Sequence, residues 1–185
     1  MYPRKEMTTK ILVLKILRKE LEKLIKIFEK YSDEEEQFKH VALFLKNMPH
    51  GDSAVDFSEV RQLCRLFCSY RMNSTALMLE VTSKKKSIED QISNIKREMS
   101  HLIDVLEKAE KLLKNVKFVE QKERKALSVL IINEFGKFVQ LAPIFKEFVE
   151  VTEMVCTKEL NPLEASCEYR MLIHHLDFLG DKIIR

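Results

Sequence analysis

The chain has 185 residues, which is long enough for one domain with a substantial core. Its hydrophobic content of 45% and charged content of 33% are typical of a folded, helix-rich protein and exclude a disordered tail. A net charge of only +3 argues against a nucleic-acid partner, and three glycines leave little material for a phosphate-binding loop.

A basic first helix is predicted over residues 8–31. Thr8 and Thr9 each carry a hydroxyl that can cap a free amide of the first turn. Beyond them, leucines repeat on one heptad face, and the lysines of this segment lie mostly on the other faces. The acidic stretch over residues 31–60 follows, and such alternation is expected of complementary neighbouring helices or of an external partner of opposite charge.

Two further helices are predicted next, one on each side of a loop. Residues 32–35 read Ser-Asp-Glu-Glu, which is the pattern of a capping box, and they open a second helix that Pro49 stops. The loop over residues 49–53 contains proline, glycine and polar residues. Asp56 then caps a third helix, whose apolar stripe continues to Val81.

The clearest pattern in the chain is an apolar repeat at heptad spacing. Its members are Ile88, Ile92, Ile95, Met99, Leu102, Leu106, Ala109, Leu113 and Val116. This spacing predicts a coiled-coil-like long helix, and apolar residues at its flanks favour burial within a bundle over a two-stranded zipper. The repeat is out of phase with the stripe that ends at Val81, and residues 82–87 are wholly polar, so we expect a break or hinge over 82–87.

The most apolar segment of the chain covers residues 126–151. Gly136 and Pro143 are expected to bend or interrupt it. Residues 126–145 approach the length of about 20 that a membrane span needs. Two charges and a proline within that stretch favour a core helix instead.

The last helix has the cleanest start signal. Asn161 is placed to cap it, and Pro162 occupies the first helical position, where its missing amide costs nothing. Gly180 is expected to end it. Its predicted buried face consists of Ala165, Tyr169, Leu172, Leu176 and Leu179.

The four cysteines form two spaced pairs and no disulfide framework. Cys64 and Cys68 lie one helical turn apart, as two metal ligands could, but no histidine is near enough to complete a site, so buried thiols are expected. Cys156 and Cys167 flank the turn before the last helix and could meet across a helical hairpin. Reduced thiols and a charged N-terminus without a secretory signal predict a cytoplasmic protein.

The histidines and the lysine run carry no catalytic motif. His174 and His175 point about 100° apart on a helix and cannot easily share one ligand. His40 and His101 lie beside apolar positions, as boundary histidines do. The three lysines over residues 84–86 are expected to form a solvated linker rather than a phosphate-binding patch.

These patterns predict an all-α protein, an antiparallel bundle of five to six helices in a single domain over residues 1–185. No catalytic, cofactor-binding or metal-binding motif is expected. The predicted function is that of a non-enzymatic intracellular protein that binds a protein partner through a helix face. The alternative is a membrane-associated protein that uses the basic first helix and the apolar segment 126–145.

Overall fold

The computed structural model describes residues 2–49 and 55–184, and all regular structure within these ranges is helical. The helices are α1 (Tyr2–Lys30), α2 (Glu34–Asn47), α3 (Ser58–Cys68), α4 (Ser74–Leu113), α5 (Gln121–Glu134), α6 (Ala142–Cys156) and α7 (Pro162–Ile184). The all-α class is therefore confirmed. The described residues form seven helices instead of the five to six expected, because the apolar segment 126–151 is divided between α5 and α6. The predicted loop over 49–53 lies outside the described residues apart from Pro49.

The chain forms two compact units. The C-terminal unit contains the residues up to Ile11 together with those from Ser93 onward, and the N-terminal unit contains Leu12–Ile92. Helices α1 and α4 contribute residues to both units. The single domain over residues 1–185 stays a prediction.

Helix α1 begins before the predicted threonine cap, at Tyr2. The hydroxyl of Thr8 donates to the carbonyl oxygen of Arg4 at 3.0 Å, and that of Thr9 donates to the carbonyl oxygen of Lys5 at 3.0 Å. Both side chains thus bond backwards along an existing helix, as Ser and Thr do in helix interiors. The prediction that they cap the helix is wrong.

The capping box predicted over residues 32–35 is also wrong. Asp33 occupies the N-cap of α2, and its side chain makes no capping hydrogen bond. The start of α2 is fixed instead by Gln37, whose Nε2 donates to the carbonyl oxygen of Tyr31 at 2.7 Å. At α3 the N-cap is Phe57 and not Asp56, so the predicted cap is displaced by one residue. The carboxylate of Asp56 still accepts from the backbone amide of Ser58, the first residue of α3, at 2.9 Å.

Helix α4 runs unbroken through residues 82–87, so the predicted break there is wrong. The interruption lies earlier, between α3 and α4, where Tyr70 has a φ of 61°. Val81, Ile88 and Ile92 are all buried. The eleven-residue step from Val81 to Ile92 corresponds to 3.67 residues per turn, close to the 3.6 of a straight helix, so the apolar stripe stays on one side without a break.

Residues 82–87 are polar but remain helical, and the two half-buried lysines among them have acidic partners. Lys84 Nζ lies 2.6 Å from a carboxylate oxygen of Glu59 on α3. Lys85 Nζ lies 3.6 Å from Glu89 Oε1 and 4.0 Å from Glu22 Oε1. The lysines therefore belong to a helix and not to a linker.

The predicted buried face of α7 is confirmed, since its five residues are fully buried. Helix α6 packs against α7, and the hydroxyls of Thr152 and Tyr169 lie 2.8 Å apart between them. Burial raises the pKa of Tyr169 to about 12. The cap of α7 is confirmed as well, because Asn161 Oδ1 accepts from the amide of Glu164 at 2.8 Å.

Gly180 does not end α7, which continues to Ile184. A Cβ at Gly180 would lie 3.4 Å from the terminal methyl of Met99 on α4. Gly180 therefore leaves room for the Met99 side chain beside α7, and it does not act as a left-handed C-cap.

Candidate functional site: an exposed face of helix α5

Helix α5 ends where Gly136, with a φ of 83°, adopts the left-handed backbone that glycine permits. Pro143 lies in the first turn of α6, where no amide is needed. Of the helices that the structure describes, none is long and apolar enough to span a membrane. The interruption expected at Gly136 is confirmed, and residues 126–145 are divided between α5 and α6 instead of forming one core helix.

Helix α5 is covered on one side only. It buries Leu127 and Glu134, while Val129 and Ile132 lie on the opposite side and are exposed. Ile132 is 68% exposed, and the next large side chain, Phe135 at the C-cap, is 77% exposed. The uncovered side of α5 thus presents Val129 and Ile132 to solvent among polar residues, with Phe135 beyond them.

We call the outward side of α5 the α5 face. Its residues are Lys122, Lys125, Val129 and Ile132, with Phe135 at the C-terminal end. Val139 is exposed as well, in the turn between α5 and α6.

The turn beyond the α5 face is fixed to α4 by a buried carboxylate. Glu98 is 7% exposed. Its Oε1 accepts from the backbone amides of Val139 at 2.6 Å, Gln140 at 3.0 Å and Leu141 at 3.4 Å. One side chain thereby satisfies the amides that precede α6 and would otherwise lack partners.

A second contact fixes the C-terminal end of α5 itself. The imidazole Nε2 of His101 on α4 bonds to Glu134 Oε2, and Lys137 Nζ lies 3.5 Å from Glu134 Oε1. His101 is half-buried, as expected of a boundary histidine, and it also contacts α5. Sequence analysis missed Glu98, because a glutamate at the flank of a heptad seam is usually solvent-exposed.

The four cysteines are free thiols. Cys64 is buried, and burial raises its pKa to about 12. Cys68 is half-buried, and its pKa is raised for the same reason. Cys156 is half-buried and Cys167 is exposed. No group of three potential metal-binding side chains occurs within the described ranges.

The other histidines occupy different surroundings. The ring of His40 stacks on Tyr31 with centroids 4.0 Å apart. His174 is exposed, whereas His175 is half-buried, and burial together with the nearby Arg4 lowers the pKa of its imidazole. A neutral His175 is the form that this environment favours.

No protein-family model, no curated protein and no solved structure matches this chain.

Proposed function

We propose that the protein acts inside the cell by binding a protein partner through the α5 face and that it has no enzymatic activity. The observation that carries this proposal is the exposure of Ile132 and Phe135 on a helix that is covered on its other side. Burying such side chains gains about 25 cal/mol per Å² of apolar surface. Large anchors of this kind supply most of the binding free energy at protein interfaces.

The fixed position of the α5 face supports the same proposal. Glu98 and His101, both on α4, hold the turn and the C-terminal end of α5. A surface whose backbone is already positioned loses less conformational freedom when a partner binds. The α5 face therefore has the properties of a preorganised docking surface.

The heptad repeat of α4 has a different role in this proposal. Every repeat position inside α4, from Ile88 to Leu113, is buried within the chain. This burial supports a seam inside an antiparallel bundle and leaves the repeat no surface for a zipper with a second chain. We infer that binding uses α5 and not the coiled-coil-like helix.

Membrane association is the rival proposal, and one observation favours it. Lys125, Ile132 and Phe135 are all exposed, and a combination of basic and apolar side chains is typical of helices that lie on anionic lipid. Co-sedimentation with phosphatidylserine-containing vesicles separates the two proposals. The protein-binding proposal predicts that the chain stays in the supernatant.

Affinity capture from cells tests the proposal with three baits: the natural chain, a variant with Ile132→Asp and Phe135→Asp, and a Leu79→Asp control. Leu79 on α4 is 72% exposed, so the control introduces a carboxylate at an equally accessible position outside the α5 face. We expect the same proteins on the natural chain and the control, and their loss from the double variant. Recovery of the same proteins on all three baits would contradict the proposal.

A further inference from the structure

We infer that the partner of the α5 face is an acidic amphipathic helix. Its apolar side chains would contact Val129, Ile132 and Phe135, and its carboxylates would contact Lys122 and Lys125. The inference rests on the proposed function, because it names the chemistry of the partner at the same surface.

The spacing of the α5 face fits a helical partner. Lys122, Lys125, Val129 and Ile132 follow one another at steps of three, four and three residues. This spacing keeps side chains in line with a second helix that crosses at about 20°. The seven residues from Lys125 to Ile132 correspond to roughly 10 Å along the helix axis. A partner helix of three to four turns covers both the lysine pair and the apolar pair.

The positive charge of the α5 face favours a partner that carries carboxylates. Lys122 and Lys125 are exposed, and neither forms an ion pair with a residue that the structure describes. Lys122 lies in the first turn of α5, where the partial positive charge of the helix end disfavours cations. Glu123 is half-buried and belongs to the covered side of the helix. Acidic side chains on a partner would offset this local excess of positive charge.

Two other occupants fit the α5 face less well. In a two-fold contact between copies of this chain, each lysine pair would face either lysines or apolar side chains of the other copy, since Glu134 is buried and bonded to His101. A helix on a membrane surface carries its lysines on the side opposite its apolar residues. Here Lys125 lies in line with Val129 and Ile132 on the same side, so lipid contact would bring the lysines to the depth of the apolar side chains.

Selection from a displayed library of helical peptides tests the inference on the full chain. Each peptide has a fixed apolar stripe and randomised positions at both ends of it. We expect Asp and Glu to be enriched about two turns from the apolar anchors. Against the Lys122→Glu, Lys125→Glu variant, the selection should enrich Lys and Arg at the same positions. The acidic peptides should bind this variant about tenfold or more weakly.

Two control variants separate failure of the inference from failure of the proposed function. Lys114→Glu with Lys117→Glu reverses two exposed lysines outside the α5 face and should leave the acidic preference unchanged. Ile132→Asp should abolish enrichment of all peptides. Peptides that depend on Ile132 but show no acidic preference would overturn the inference and leave the proposed function intact. No enrichment, or enrichment that Ile132→Asp does not affect, would overturn both.

Two further measurements test whether a second copy of the chain or a membrane occupies the α5 face instead. Sedimentation equilibrium would show a dimer that Ile132→Asp dissociates if a second copy occupies the α5 face. Vesicles of phosphatidylcholine and phosphatidylserine would bind the natural chain and not the Ile132→Asp variant if the occupant is a membrane. Either result would overturn the acidic-helix inference, which predicts a monomer that does not bind these vesicles.

Discussion

Glu98 is a charged residue at the flank of an apolar seam, and its carboxylate closes the turn between α5 and α6. Three consecutive backbone amides lie within hydrogen-bond distance of it. Charge-assisted hydrogen bonds of this kind are roughly twice as strong as neutral ones. At the scale of single residues, the position of the exposed turn beyond the α5 face therefore depends on one side chain of another helix.

Replacing Glu98 with alanine should lower the free energy of unfolding by about 2–3 kcal/mol, because buried amides lose their acceptor. Urea denaturation gives this value, and amide hydrogen exchange should become faster at residues 139–141. Glu107→Ala is the matched control, since Glu107 is an exposed glutamate on the same helix. Equal destabilisation by the two substitutions would contradict the role given to Glu98.

Lys158 follows the C-terminus of α6 with a φ of 63°. The amide of Glu159 bonds to the carbonyl of Met154 at 2.9 Å, in the pattern of a Schellman cap, where glycine is the usual residue. Lys158→Gly should therefore raise the free energy of unfolding by about 0.5–1 kcal/mol. Lys158→Ala removes the same charge and keeps the Cβ, so thermal melting should show no such gain for it. A gain of equal size with alanine would show that charge and not backbone strain is responsible.

At the scale of helices, local patterns predicted some features correctly and others wrongly, since the threonine cap of α1, the capping box over residues 32–35 and the helix end at Gly180 did not form. The cap at Asn161 and the buried face of α7 required only local spacing. The break over residues 82–87 was predicted wrongly, because a polar run looks alike in a loop and on an exposed helix side. Glu59 and Glu22, which pair with Lys84 and Lys85, are distant in sequence.

The candidate site was less predictable for the same reason. The apolar composition of residues 126–132 indicates a helix that packs against other helices, but the sequence does not reveal that only one side of it is buried. The contact of Glu98 with the turn joins residues more than forty positions apart. No local spacing rule encodes such a contact.

The continuity of α4 gives a direct prediction. Proline at exposed position 86 removes a backbone donor and clashes with the preceding turn, so Lys86→Pro should cost about 3 kcal/mol in unfolding free energy. Lys86→Ala, measured by the same chemical denaturation, should change it by less than about 0.5 kcal/mol. If the proline variant were as stable as the alanine variant, the helix would have to be interrupted near residue 86.

At the scale of the whole molecule, α7 is expected to be essential for solubility. Ending the chain at Leu160 would expose the buried face of α6, including Phe148, whose ring lies 5.3 Å from that of Tyr169. The lost apolar burial, at about 25 cal/mol per Å², is comparable to the 5–15 kcal/mol that stabilises a typical domain. We expect aggregation in size-exclusion chromatography and loss of a cooperative melt by circular dichroism. A chain that ends at Asp181 keeps the five core residues of α7 and should stay soluble, whereas a soluble, cooperative 1–160 chain would refute the prediction.

Photocrosslinking in cells tests most directly whether the α5 face binds a partner. A photoreactive amino acid is placed at position 132, on the α5 face, or at position 79, an equally exposed site on α4. Because a crosslink forms only at contact distance, we expect a discrete protein adduct from position 132 and none from position 79. The absence of an adduct at position 132, or the same adduct from both positions, would contradict the proposed function.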